Sequence, residues 1–274
     1  MKYFESHAHY DDRRFREDRE ELLRELLPAS GVSHIINIGC DVKSSENSVR
    51  MADKYDYVYA AVGVHPHELY DMSSQTIDKL RKLSEHKKVV AIGEIGLDYH
   101  YKREEQHRLT QYLWFLYQLN LAWKRKKPVI LHVRDAHEDA LRILRMHPAR
   151  KLGGVIHCFY GSKEIAEQYL KLGYHIGIGG SVLQLEERAQ DLWGAIPHIP
   201  LERILLETDA PFILPYCKDV IQPKLLRRAR NTSLILPAVI RKIAELKGIS
   251  ADEVEQATTE NTIRLFHLPI HETE

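Results

Sequence analysis

A chain of 274 residues with 44% hydrophobic side chains can bury a core sized for one barrel or two ordinary domains. Lys plus Arg and Asp plus Glu balance at 39 each, so no global positive field draws the protein onto nucleic acid, which excludes broad coating of duplex DNA and requires any polyanion to be held locally. The three cysteines, Cys40, Cys158 and Cys217, are odd in number and lack C-x-x-C spacing, which excludes a disulfide framework and a thiolate zinc site.

No apolar run approaches the roughly 18 residues of a membrane span, and no basic segment followed by an apolar stretch opens the chain. The expected address is cytoplasmic, with no membrane partner and no obligate protein partner.

The first strand signal is KYFES, and it runs into His7-Ala8-His9. A strand turns alternate side chains to one face, so two imidazoles converge there as two ligands of one metal would. A helix is expected near 16–27, then the strand HIINIGC, a helix near 44–53, and the strand YVYAAVGV ending at His65-Pro66. A helix near 74–86 leads to VVAIGEIG, which carries Glu94, and the long helix near 104–126 ends in Lys124–Lys127, cations suited to its negative dipole end. PVILHV delivers His132 and, just past it, Arg134; a helix near 136–146 leads to GVIHCF, which holds His157. A helix near 162–172, the strand YHIGIG, a helix near 184–195 and the strand ILLET, which ends at Asp209, follow. Residues 210–231 form an irregular loop containing Pro211, Pro215, Pro223 and the basic run KLLRRAR, before helices near 233–247 and 251–265.

Eight strands alternating with helices imply parallel strands with crossover helices. Eight such units match a (β/α)8 TIM barrel, whereas a doubly wound open sheet more often has five or six strands. No Ser- or Pro-rich linker interrupts the pattern, so residues 1–274 are expected to form a single barrel domain.

Active sites of such barrels lie at the C-terminal strand ends. His7, His9, Glu94, His132, His157 and Asp209 all fall at or just past those ends, so residues scattered over the chain meet in one mouth. Four imidazoles and two carboxylates without a thiolate suit Zn, Mn, Ni or Co better than a Cys-rich zinc site or an all-oxygen Ca or Mg cage. Six ligands exceed one tetrahedral site, which points to two divalent ions about 3.5–4 Å apart, bridged by a carboxylate, with water as nucleophile. Glu94, between the two histidine groups in strand order, is the natural bridge, and Asp209 can also take a proton from the attacking water.

His7-Ala8-His9, Gly63-Val64-His65-Pro66, Gly93-Glu94-Ile95-Gly96-Leu97-Asp98-Tyr99, His132-Val133-Arg134-Asp135-Ala136, His157-Cys158-Phe159-Tyr160-Gly161 and Glu207-Thr208-Asp209-Ala210-Pro211 together resemble the TatD family of metal-dependent hydrolases, an amidohydrolase-like branch of barrels. The resemblance covers nearly the whole chain. It implies deoxyribonuclease-type phosphodiester hydrolysis, often 3′-to-5′ exonucleolytic, using divalent ions (Zn, Mn, Ni or Mg), with Glu94 in place of the carbamylated lysine that bridges metals in many other amidohydrolases. The chain departs from the family's pattern at Glu5-Ser6, where Asp-Thr is usual, at Tyr160, where Ser or Thr is usual, and at Asn231-Thr232-Ser233, where Asn-Glu-Pro is usual.

Three further residues are candidates for holding substrate. His65 would reach the mouth from strand three or, with Pro66, serve only a structural turn, Arg134 could grip a phosphate bidentately or pair with Asp135, and Tyr99 could stack on a base or be buried behind Glu94. Lys224, Arg227, Arg228 and Arg230 could form a local positive wall or a solvated face. The expected substrate is DNA, as ends or single strands; the alternative is a small amide, lactone or ester.

Overall fold

The computed structural model describes residues 2–101, 105–215 and 230–269. Eight parallel strands follow one another around a single sheet: β1 Tyr3–Ala8, β2 Val32–Ile38, β3 Val58–Val62, β4 Val89–Asp98, β5 Val129–Arg134, β6 Gly154–Ile156, β7 His175–Ile178 and β8 Ile204–Leu206. Just past the last strand, Asp209 N–H donates to the His7 carbonyl at 3.0 Å and His9 N–H to the Ala210 carbonyl at 2.7 Å, while Ala8 bridges Ala210 in the parallel sense. The sheet thus curls back to its first strand, and the expected (β/α)8 barrel is the architecture observed.

The strands are apolar nearly throughout because helices cover one face and the barrel interior the other. Phe4, Ile36, Tyr59, Val90, Ile130, Val155 and Leu205 pack with Leu265, Phe266 and Leu268 from the C-terminal helix Ala251–Phe266, near the strands' N-terminal ends. A second apolar layer lies between the strands and the outer helices. Helix starts follow the capping chemistry: Asp41 with Ser44, Ser73 with Thr76, and Ser250 with Glu253 each form a capping box.

Three departures from the expected boundaries bear on the site. The strand expected to run to Phe159 stops at Ile156, because the Glu207 carboxylate accepts the Cys158 N–H and Cys158 turns to φ 44°. Likewise β8 stops at Leu206, before Glu207. In contrast, β4 runs on to Asp98, where β3 no longer reaches: the Gln111 side chain, from helix Glu105–Arg125, accepts the Asp98 N–H and donates to its carbonyl, both at 2.8 Å. Gly96, at φ 146°, allows β4 and β5 to close there, since a Cβ would lie 2.0 Å from the His132 carbonyl oxygen.

Candidate metal centre

The seam between β1 and β8 builds the first half of the site. Backbone bonds across it set Asp209, itself at φ 55°, directly beside His7 and His9. Buried Glu5 locks the same seam, accepting from His7 N–H at 3.1 Å, Thr208 N–H at 2.9 Å, and the Thr208 and Ser233 hydroxyls at 2.7 Å each. His7 Nε2 and His9 Nε2 come within 3.2 Å of each other. Asp209 Oδ1 lies 3.2 Å from His9 Nε2 and 3.7 Å from His7 Nε2.

Glu94 stands between this group and a second one. Its Oε2 faces His7 Nε2 at 3.4 Å and His9 Nε2 at 3.7 Å. Its Oε1 faces His132 Nδ1 and His157 Nε2, both at 2.8 Å, and these two ring nitrogens are 3.3 Å apart. One carboxylate therefore divides its oxygens between two nests of nitrogen donors. Its backbone is pinned by a bond from Glu94 N–H to the Gly39 carbonyl at 3.0 Å, beyond the last rung shared by β3 and β4, Val62 with Ile92.

The outer ring nitrogens fix which lone pairs point inward. His9 Nδ1 donates to the Ile38 carbonyl at 3.0 Å, which leaves Nε2 as the free lone pair. His132 Nε2 donates to Asp98 at 3.0 Å, so its Nδ1 faces Glu94. His157 Nδ1 lies 3.7 Å from Glu207. His65 has the opposite arrangement: Nδ1 accepts the His67 N–H at 3.1 Å, and burial followed by the neighbouring His132 lowers its pKa to about 3. A neutral ring so bonded carries its proton on Nε2, which makes His65 a donor toward the mouth, 3.5 Å from Glu94 Oε1.

Electrostatics agree with a site made to hold cations. Burial alone would push the Glu94 carboxyl up, but His157 and His65, with hydrogen bonds from His132 and His157, hold it well below the usual carboxylate range. Burial likewise opposes charge on His157 and His132, yet Glu94 with Glu207 raises the first well above normal and Asp98 with Glu94 raises the second. Without a metal, protons must sit between these facing groups; a divalent ion replaces them with no change in donor set, so the residues present fit such ions. Cys40 stands at the edge of the site, 3.6 Å from His9 Nδ1, where burial pushes its thiol up to about 12.

All six residues expected at the centre come together, and His65 joins them. The sequence reading missed Asp98, Glu207 and His67, whose Nε2 lies 3.1 Å from Asp98. Tyr99 requires correction. It is buried, its hydroxyl donates to Asp139 at 2.9 Å and Arg108 covers its ring, so it offers no open face for stacking. Arg134 does not find Asp135, which takes His100 Nδ1 at 2.8 Å; its guanidinium lies over the exposed Tyr101 ring instead. Lys224, Arg227 and Arg228 of the basic run lie outside the described residues, as does Cys217, and Arg230 is tied to Asp18 and the Arg14 carbonyl.

The family model described as TatD related DNase matches residues 4–267. An uncharacterized metal-dependent hydrolase of Bacillus subtilis, YabD, is 36% identical, with 97% of this chain and 99% of that protein covered. A 3′-5′ ssDNA/RNA exonuclease TatD of Pectobacterium carotovorum is 38% identical, with 93% and 95% covered. Among solved structures, the TatD homolog YJJV of Escherichia coli superposes with a TM-score of 0.87 at 33% identity, covering 97% of this chain and 98% of that one.

Proposed function

The chain belongs to the TatD-related DNase family and is a metal-dependent hydrolase acting on ester bonds, and from that premise we propose that it hydrolyses phosphodiester bonds at the 3′ ends of single-stranded DNA, using two divalent ions held either side of Glu94. The division of the Glu94 oxygens between the His7/His9 pair and the His132/His157 pair is the observation that carries this reading.

His7, His9, Asp209 and Glu94 Oε2 would hold one ion, and Glu94 Oε1, His132 and His157 the other. When bound, such ions neutralise charge on the phosphoryl oxygens and acidify water; Zn, Mn, Ni and Mg all suit that task. Asp209, set beside His9 Nε2 at 3.2 Å and His7 Nε2 at 3.7 Å, accepts the proton of the attacking water. His65 donates its Nε2–H to a non-bridging phosphate oxygen, and Arg134 neutralises the neighbouring phosphate. A mouth edged by arginine and exposed aromatic rings favours a nucleic-acid strand over a small amide, lactone or ester. End-labelled single-stranded DNA incubated with the Mn²⁺- or Mg²⁺-loaded protein should shorten stepwise from its 3′ end; metal-loaded protein that leaves it intact while cleaving a lactone or aryl ester would overturn the assignment to DNA.

A further inference from the structure

Resting on the phosphodiesterase reading of the metal centre, we infer that the mouth carries two base-stacking subsites, Phe212 with Arg14 on one side of the ions and Tyr101 with Arg134 on the other, which hold the nucleotides flanking the scissile phosphate. The geometry begins with a ladder of rings. From Phe212, centroid distances run 5.7 Å to His9, 5.0 Å to His7, 3.9 Å to His157, 5.5 Å to His132, 6.4 Å to His67 and 5.6 Å to Tyr101. Four of the inner rings, His7, His9, His132 and His157, bring a nitrogen within 3.7 Å of a Glu94 oxygen, so Phe212 and Tyr101 stand at the two ends of one run of rings through the centre.

Both end rings are open to solvent. Phe212 is 42% exposed and Tyr101 68% exposed. Each is backed on one face by a guanidinium, Arg14 at 4.2 Å from the Phe212 centroid and Arg134 at 5.0 Å from that of Tyr101. Cation–π contact fixes the ring, and its exposed remainder is available to a base. Arg134, which leaves Asp135 to His100, has its guanidinium available to a phosphate as well, whereas Arg14 is paired with the Asp12 carboxylate at 3.0 and 3.1 Å and serves to back its ring.

Phe212 is also held in place. Its N–H donates to the Asp209 carbonyl at 2.7 Å, and Asn231 ties the loop by donating to the Thr208 and Ile213 carbonyls at 2.8 and 3.2 Å. The ring therefore keeps a fixed relation to a proposed metal ligand three residues away. Stacking reads no base edge, so the subsites recognise any single strand and disfavour a duplex whose bases are already stacked on each other.

The test uses Phe212→Ala and Tyr101→Ala in the metal-loaded protein, with oligo-dT and with the same oligonucleotide carrying an abasic residue at each of its last two positions in turn. Each variant should raise KM for oligo-dT by roughly 5- to 150-fold with kcat nearly unchanged, and Phe212→Trp and Tyr101→Trp should restore it. One abasic position should reproduce each loss, and the matching ring variant should then add nothing. Unchanged KM in both variants, or equal losses on intact and abasic substrates, overturns the subsites while leaving the nuclease intact. A wild-type protein that neither binds labelled oligo-dT nor shortens it overturns both readings.

Discussion

Removing the Asp98 carboxylate should weaken one half of the centre and spare the other. Asp98 Oδ2 accepts from His132 Nε2 at 3.0 Å and lies 3.1 Å from His67 Nε2, while nothing on the His7/His9 side touches it. Its burial opposes ionisation, but those bonds from His132 and His67 hold the carboxyl far below its ordinary range, so it is a full charge that orients the His132 ring and raises its basicity. Loss of such an outer partner costs roughly 10- to 100-fold in metal affinity. The strand end should survive the change, because the Gln111 side chain bonds the Asp98 backbone and not its carboxylate. Metal-free protein titrated calorimetrically with Zn²⁺ or Mn²⁺ should show two binding events; in Asp98→Ala one weakens by that factor and the other does not move. Asp98→Asn, which can keep the hydrogen bond without the charge, should fall between. Equal weakening of both events, or of neither, would refute a divided centre with His132 in one half.

Glu94→Ala should remove the shared carboxylate from both halves and cut turnover by roughly a thousandfold or more, measured on end-labelled oligonucleotide with metal content checked by mass spectrometry. His65→Phe should leave the metal content unchanged and lower kcat by roughly 100- to 1000-fold, as loss of a donor to a developing charge does; loss of an ion instead would make His65 a ligand. The metal-free protein should lose stability as pH rises: His132 and His157 have pKa values raised above the unfolded 6.5, so their contribution is present below that pH and disappears as pH climbs through the folded values. Glu94, held below the unfolded 4.5, contributes above that value and is lost on acidification. Melting temperatures should therefore peak in mildly acid buffer without metal and shift upward in pH with it, and binding near neutral pH should release protons, read from the dependence of binding heat on buffer; metal binding without proton release would contradict these assignments.

Most of the barrel was legible because its strands are continuous apolar runs separated by stretches with helical periodicity. The six converging side chains were legible because each ends such a run. What escaped reading was set by contacts remote in sequence. The strand through Glu94 was expected to stop at Gly96; the Gln111 side chain carries it to Asp98, and alternation then puts Asp98 on the Glu94 side and Tyr99 on the other. That parity, counted two by two from Glu94, was a signal for Asp98 and against Tyr99. Glu207 was hidden inside a motif read for Asp209, and His67 stands two residues past His65 in a turn with no periodicity to mark it. The early end of β6 depends on the Cys158 N–H meeting Glu207, a pairing across 49 residues that no local pattern announces.

Diffraction from crystals grown with Mn²⁺ or Zn²⁺, recorded at the metal's absorption edge, tests the centre most directly. Two anomalous peaks are expected, one among His7, His9, Asp209 and Glu94 Oε2, the other among Glu94 Oε1, His132 and His157. A single peak bound away from Glu94, or none with metal in excess, would contradict a carboxylate-bridged pair.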